Sequence, residues 1–386
     1  MKKSIITLSI TALLALSGCV FPTAGTSSSE QSSSSSEIVQ RPTPSNAVEL
    51  YQLTPYAKSL VECYVIKTSN NKLIVIDGGI DGFGESSDPY LPAALRSILC
   101  LEEGEYFEVE AWFLSHPHSD HYYELSKCLA DYSQDSNYKI NNFYFDFPDL
   151  ADYYAARDGI PPYNYTTNRK FEDFKLNFNN YANVNGIEIE SESMLWYDDI
   201  NGQVINKDEI KWGLDIEIDG VRFEILQTWD YSDRRGSEDL NETSLVMRAW
   251  VEGQSILFLN DLGGFDSGRS SGARLVNTYG NALKSDIVQM AHHGQKGAHK
   301  ALYDLVDADV FLWCTPSFVW NDLANYPHLP VTRSWVNGGV DFTQASPYHI
   351  VGCLYDAYPK GASTVAAWDE VKDGMKITLP YYPDAK

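Results

Sequence analysis

The sequence predicts an α/β protein in which β-sheets are covered by helices. Two observations carry that expectation. In the first half, the strand-like runs Val61–Lys67, Leu73–Ile76, Val109–Leu114 and Tyr138–Phe145 alternate with helix-like Pro89–Leu101 and His121–Tyr132. The second half repeats the style with Val221–Leu226, Thr243–Val251, Ser255–Leu259, a helix near Ala273–Leu283, then Ile287–Met290, helical Lys300–Val306 and Val310–Trp313. Each strand or helix can bury only one face alone, so alternation of this kind implies layers. Length alone would allow two domains, but the unbroken alternation favours one, over residues 46–386.

The elements are taken in chain order. Lys2-Lys3, the apolar run Ile5–Leu16 and Ser17-Gly18-Cys19 have the layout of a secretory signal over residues 1–18. The apolar run is too short for a transmembrane anchor. Leu16-Ser17-Gly18-Cys19 resembles the bacterial lipobox, which implies a lipid on Cys19. Residues 19–45 then read as a Ser-rich disordered tether that Pro42 and Pro44 close. The expectation is an extracytoplasmic lipoprotein of the cell membrane, in the style of a Gram-positive bacterium.

The segment 147–211 is irregular and aromatic-rich, and reads as an insertion. Phe171, Phe174, Phe178 and Tyr181 recur at helical spacing, which favours a packed amphipathic helix. Tyr163, Trp196 and their aromatic neighbours would suit a lid or pocket rim for sugar rings or a quaternary ammonium.

The chemistry concentrates in His116-Pro117-His118-Ser119-Asp120-His121, directly after the apolar run Val109–Leu114. An extended segment aims alternate side chains the same way, so His116 and His118 can converge on one point. Asp120 and His121, at the turn into a helix, can face a second point nearby. Neutral imidazole and carboxylate are the usual ligands of zinc and related divalent ions. A loop with surface histidines is the competing reading, and the density of the cluster argues against it.

The hexapeptide resembles the H-x-H-x-D-H signature of the metallo-β-lactamase superfamily. Other stretches fit the same family in order: Leu73–Ile76 with Asp77-Gly78-Gly79, Ser255–Leu259 with Asn260-Asp261, and Asp286–Ala291 with His292-His293-Gly294. Asn241–Val246 resembles the N-x-x-S-L-V stretch of the branch containing the competence-protein domain and pneumococcal phosphorylcholine esterase. The resemblance, spanning about Val48 to Val310, implies a four-layer αββα sandwich with metals at one edge. It further implies one ion on His116, His118 and a middle histidine, and another on Asp120, His121 and His292, with Asp261 bridging. No histidine lies between His121 and His292, so the middle ligand is missing. Asn241, Glu242, Asp230 and water are the open replacements, and Asn241 could equally touch substrate. Zn2+ is the expected metal, one or two ions, with Mn2+ and Fe2+ as alternatives.

A bound divalent ion lowers the pKa of its water from about 15.7 towards about 7 and polarises phosphoryl or carbonyl oxygens. Asp120 could also orient the nucleophile. Asp77, behind the cluster, either fixes the tautomer of a ligand imidazole or shapes the Gly78-Gly79 turn. His293 is open to three roles: donating a proton to the leaving group, holding substrate, or a structural hydrogen bond. Alignment with the family makes His292 the better ligand. Of the remaining histidines, His299 and His328 read as surface or core residues. His349, before the apolar run Ile350–Leu354, is the best extra candidate for a substrate contact.

Composition narrows the partners. With 53 acidic against 29 basic residues the net charge is −24, which repels nucleic-acid backbones and anionic headgroups unless a basic patch exists. The densest basic spot is Arg234-Arg235, so nucleic acid is disfavoured and the membrane is reached through the lipid only. Cys63, Cys100, Cys128, Cys314 and Cys353 are scattered, and Cys63, Cys314 and Cys353 sit in apolar runs as small core residues. The leading expectation is a metal-dependent hydrolase acting on a small-molecule or cell-surface substrate, with phosphodiesters ahead of carboxyl esters, lactones or thioesters. Hydrolysis of β-lactams is disfavoured by the missing middle histidine. A non-catalytic surface binder that kept the fold is the alternative, and the largely retained ligand set argues against it.

Overall fold

A computed structural model describes residues 43–53, 62–79, 91–131, 137–147, 165–186, 199–200, 203–204, 214–228, 240–264, 271–336, 338, 346–351, 369–371 and 374–383. The strands of the first half are β1 (Val48–Leu53), β2 (Cys63–Lys67), β3 (Leu73–Asp77), β4 (Phe107–Phe113), β5 (Tyr138–Ile140) and β6 (Phe143–Tyr144). Helices α1 (Leu91–Ile98), α2 (Ser119–Asp131) and α3 (Tyr165–Asn185) accompany them, followed by the short strands β7 (Asp199–Ile200) and β8 (Gln203–Val204). The second half has β9 (Leu214–Ile218), β10 (Val221–Gln227), β11 (Val246–Val251), β12 (Gln254–Phe258), β13 (Ile287–Gln289), β14 (Val310–Trp313) and β15 (His349–Val351). Its helices are α4 (Ser271–Tyr279), α5 (Lys300–Val306), α6 (Ser317–Asn321) and α7 (His328–Val336), and β16 (Asp369–Val371) and β17 (Gly374–Leu379) close the order.

The first sheet runs β16-β17-β1-β2-β3-β4-β5, with β6 also paired to β4; the second runs β15-β14-β13-β12-β11-β10-β9. Three apolar clusters show how the sheets are covered. One joins Leu50, Ile66, Ile74 and Phe113 of the first sheet to Phe223, Met247, Ile256 and Leu312 of the second, so the two sheets pack face to face. A second lies on the far side of the first sheet, where Val75, Val109 and Trp112 meet Leu95 of α1, Leu125 of α2 and Phe178 of α3. A third lies on the far side of the second sheet, where Leu257, Val288 and Trp313 meet Leu275 of α4, Leu302 of α5 and Leu329 of α7. The order is helix, sheet, sheet, helix: the four-layer αββα sandwich. Coverage on both faces explains why β3 reads as the uninterrupted Leu-Ile-Val-Ile-Asp rather than an alternating strand.

Several boundaries differ from the expectation, each for a local reason. The run Tyr138–Phe145 is broken at Asn141-Asn142, where the Asn142 amide donates to the Glu110 carbonyl at 2.8 Å and Asn141 to Glu108 at 3.1 Å. The run Thr243–Val251 pairs only from Val246, because Leu240–Thr243 forms a 3-10 turn. The helix near Ala273–Leu283 stops at Tyr279, since Gly280 turns the chain with φ +50° and a 3-10 turn follows. In α3, Phe171, Phe174, Phe178 and Tyr181 are all buried, so their spacing does mark a packed face. The Tyr181 hydroxyl pins β5 by accepting from Ile140 N and donating to Ile140 O. Tyr163, Trp196, Arg234-Arg235, Asp230, Cys353 and the whole of residues 1–42 lie outside the described residues.

One topological fact positions the site. β3 and β4 are parallel, as are β12, β13 and β14, and the carboxyl ends of these strands carry Asp77, Ser115–His121, Asp261, His292-His293 and Cys314. Ser115 and Leu245 are joined across the sheets by a backbone hydrogen bond of 2.9 Å, and His292 N donates to Asn260 O at 2.9 Å.

Candidate metal centre

Each ligand-type side chain is held by a turn at a strand end. After β4 a short loop, bent at Pro117, carries His116 and His118, and the chain enters α2 at Ser119. His116 Nε2 and His118 Nδ1 approach to 2.9 Å. After β12, Asn260 takes φ +49° and presents Asp261, while the Gln289 side chain accepts from the amides of Leu259 and Asn260. After β13, His292 and His293 both adopt positive φ, 52° and 54°. Two successive left-handed residues rarely occur without a constraint. Here the turn is clamped by Gly294, which lies so close to Trp313 that a Cβ would stand 2.5 Å from its ring.

The side chains converge on Asp261. Its Oδ2 lies 3.3 Å from His121 Nε2 and 3.9 Å from both His116 Nε2 and His292 Nε2, and its Oδ1 lies 3.9 Å from His293 Nε2. Two groups of ligand atoms result, each within 4.8 Å of one another: His116, His118 and Asp261, and Glu62, His121, Asp261 and His293. Asp120 flanks the second group, with Oδ2 3.6 Å from His293 Nε2. Glu62, His116, His121, Asp261 and His293 are buried, whereas His118, Asp120 and His292 are partly exposed and form the mouth.

Partners behind the imidazoles fix which nitrogen faces inward. His121 Nδ1 lies 2.7 Å from Asp77 Oδ2, and Asp77 also accepts from the Ser115 amide and hydroxyl, each at 2.7 Å. Ser115 Oγ is 3.0 Å from His116 Nδ1. His293 Nδ1 is 3.3 Å from the Cys314 carbonyl, which only an N–H can satisfy, so Nε2 is the nitrogen turned towards Asp261 and Asp120.

A cation fits this arrangement. His121 Nε2, His293 Nε2, Asp261 Oδ1 and Glu62 Oε1 are buried and make no hydrogen bond among the described residues. A buried polar atom left so costs about 1–3 kcal/mol, and four sharing one centre call for a common partner. Charge points the same way. Burial alone would lower His293, but Asp261, Asp120 and Glu62 raise it to about 9. Burial would lower His121 too, and Asp261 and Asp77 hold it well above the ordinary histidine range. His116 falls well below that range through burial and its neighbours His121 and His118. Burial and Asp261 push Glu62 up to about 8. Burial would raise Asp120, yet His293 and His121 hold it below the usual carboxylate range. Without metal, protons on His121 and His293 balance the carboxylates; a cation takes their place.

The predicted residues fare unevenly. His116, His118, Asp120, His121 and Asp261 come together. Within the last motif the ring of His293 joins the buried group, while His292 stands at the mouth 3.4 Å from the Asn241 amide. Glu242 is committed elsewhere, its Oε2 accepting from the Ser271 amide and hydroxyl at the start of α4. His349 is held inside the fold: it stacks on Phe311 at 4.9 Å and accepts from the Trp313 indole at 3.4 Å, and burial lowers it to about 4. Sequence reasoning passed over Glu62, which belongs to no motif.

Residues 58–222 match the model of the metallo-β-lactamase superfamily. No curated protein matches the sequence. Among solved structures, the metallo-β-lactamase fold protein YhfI from Bacillus subtilis is 11% identical with a TM-score of 0.40, covering 75% of this chain and 94% of its own. A putative zinc-dependent hydrolase of the superfamily from Thermotoga maritima is 13% identical with a TM-score of 0.28, covering 69% and 74%. CmlA, a diiron β-hydroxylase from Streptomyces venezuelae, is 10% identical with a TM-score of 0.37 over 75% of this chain and 47% of its own, so the match spans about half its length.

Proposed function

We propose that this chain is a metal-dependent hydrolase that acts on phosphodiesters outside the cell, tethered to the membrane by a lipid on Cys19. The observation that carries the reading is the convergence on Asp261 of two ligand groups, one of which holds four buried atoms that make no hydrogen bond among the described residues. Divalent ions bound there supply an acidified water and Lewis-acid polarisation of a phosphoryl or carbonyl oxygen. The chain's own residues position and shuttle protons around them. Asp120, ionised and one-fifth exposed, is placed to accept a proton from attacking water and to orient it. His292, also one-fifth exposed and beside Asn241, is placed to protonate a leaving oxygen at the mouth. The roles within the His292-His293 pair are thus divided: His293 as ligand, His292 as the group facing substrate.

The phosphodiester preference rests on the resemblance over Asn241–Val246, and the charge of −24 favours a small or cell-surface phosphodiester over nucleic acid. The experiment is metal analysis of the purified protein, followed by a panel of aryl phosphodiesters, choline phosphoesters, carboxyl esters, lactones and β-lactams. Metal-dependent turnover of phosphodiesters, lost in Asp120→Ala and His293→Ala with the fold intact, is the expected result. Turnover confined to carboxyl esters or lactones would reassign the substrate class. Full metal loading with no turnover of any compound would favour a surface binder. Lipidation is checked separately, by mass spectrometry of membrane fractions against Cys19→Ala.

A further inference from the structure

We infer that Glu62 is itself a metal ligand, making the second metal position carboxylate-rich and selective for a hard, six-coordinate ion. This rests on the metallohydrolase reading of the same centre. Glu62 immediately precedes β2, which runs antiparallel to β3 with Cys63 opposite Asp77. The start of an antiparallel strand lies at the same sheet edge as the end of its neighbour, so the register carries Glu62 to the metal edge. There its carboxylate is fully buried and shares one 4.8 Å group with His121, Asp261 and His293.

The two oxygens have different environments. Oε2 accepts from the Cys314 thiol at 3.2 Å and lies 4.0 Å from His293 Nδ1. Oε1 has no hydrogen-bond partner among the described residues. A carboxylate in the interior with one oxygen unsatisfied is costly, and would be replaced without loss by glutamine or an apolar side chain unless a cation engages it. Apart from the imidazoles of His121 and His293, the groups facing Glu62 are themselves carboxylates, Asp261 and, more remotely, Asp77.

Counting donors gives the metal preference. Glu62 and Asp261 supply carboxylate oxygens and His121 and His293 supply nitrogens, so four protein groups share one position before any water or substrate oxygen joins them, and Asp120 flanks it 3.6 Å from His293 Nε2. Zinc in protein sites is usually four-coordinate, whereas mixed oxygen and nitrogen sets of higher number suit manganese and ferrous iron. The first position, with His116, His118 and shared Asp261, lacks this excess of oxygen. The two positions therefore differ in kind, and a mixed-metal centre follows.

The test uses the full chain, stripped of metal and titrated with Mn2+, Zn2+ or Co2+, comparing wild type with Glu62→Gln and Glu62→Asp. The readouts are stoichiometry by plasma mass spectrometry, affinity by calorimetry and the visible spectrum of bound Co2+. For wild type, two ions per chain with Mn2+ preferred in one position are expected. In Glu62→Gln the second ion should bind roughly 10–100-fold more weakly and Mn2+ preference should vanish. Its Co2+ spectrum should move from weak, high-coordinate absorption towards intense tetrahedral bands, and Glu62→Asp should recover part of the affinity. Melting of the metal-free Glu62→Gln protein no lower than wild type verifies its fold. Unchanged second-ion affinity and spectrum in Glu62→Gln would overturn the assignment while leaving the hydrolase reading intact. Weaker binding with an unchanged Co2+ spectrum would also overturn it, reducing Glu62 to a support for His293. Wild-type protein that binds no ion would instead remove the reading beneath it.

Discussion

Asp77 Oδ2 and His121 Nδ1 meet at 2.7 Å although they lie 44 positions apart in the sequence. The contact joins the end of β3 to the first turn of α2, and the Gly78 amide reinforces it by donating to the His121 carbonyl at 2.6 Å. With its Nδ1–H committed to Asp77, His121 turns Nε2 towards Asp261, 3.3 Å away. One buried carboxylate thus orients an imidazole and, through the Ser115 amide and hydroxyl, also shapes the strand-to-helix turn that carries the whole His116–His121 segment.

Asp77→Asn tests this relationship. The amide keeps the shape but must point its NH2 at a donor, either Ser115 N or His121 Nδ1, leaving a buried pair unsatisfied. The expected cost is about 1–3 kcal/mol in folding stability and about 10–100-fold in metal affinity. Urea unfolding and calorimetric metal titration check the two effects. Wild-type affinity in a correctly folded variant would show that Asp77 serves the turn alone.

Asp261 is the only side chain common to both ligand groups among the described residues. Removing it should therefore release both ions together, whereas His118→Ala should release one and keep the other. Metal counted per chain after dialysis is the measurement. Asp261→Ala retaining one ion would mean that the two groups do not share it.

How legible this centre was in the sequence depended on distance along the chain. His116, His118, Asp120 and His121 were readable because a strand-then-helix junction gathers neighbours locally, and Asp77 and Asp261 because each ends an apolar strand. Glu62 was not, since only the antiparallel register of β2 on β3 brings a strand's first residue to the edge where other strands end. Which of His292 and His293 is buried was not readable either, because it depends on a left-handed turn packed against Trp313. For the fold, the buried runs of β3, β4 and β12 were plain, while β1 and β17 were missed. Their charged Glu49 and Lys376 disguise strands that pair with each other over Val48↔Leu379 to Leu53↔Gly374.

Gly294→Ala probes that clamp. The backbone there has φ +75°, and the added Cβ would stand 2.5 Å from Trp313 and 3.1 Å from the Thr315 hydroxyl. Overpacking of this kind costs about 1–3 kcal/mol, and the displaced turn carries His293 with it. Lower stability together with weaker binding of the second ion is expected, read by thermal melting with and without metal. A stable variant with unaltered metal binding would mean the turn is not held by Trp313.

The acid limit of the fold is set in part by Glu49 on β1. It is buried, and accepts from Tyr51 at 2.8 Å, from Lys376 at 3.0 Å and from Lys67 at 3.1 Å. Burial alone would raise its pKa, but the Tyr51, Lys376 and Lys67 donors outweigh it and bring the value below the ordinary 4.5. A carboxyl whose folded pKa is depressed contributes stability that is present above its unfolded pKa and lost as pH falls through the folded value. Stability should therefore decline on acidification below about pH 4.5, with protonation of Glu49 one of the causes. Glu49→Gln should be less stable at pH 7 by about 1–3 kcal/mol, because Lys67 loses its anion while keeping the Ser45 and Ala47 carbonyls. The same variant should lose less than wild type between pH 7 and pH 3.5. Urea midpoints at the two pH values decide it, and parallel losses in both proteins would show that Glu49 has no part in the acid response.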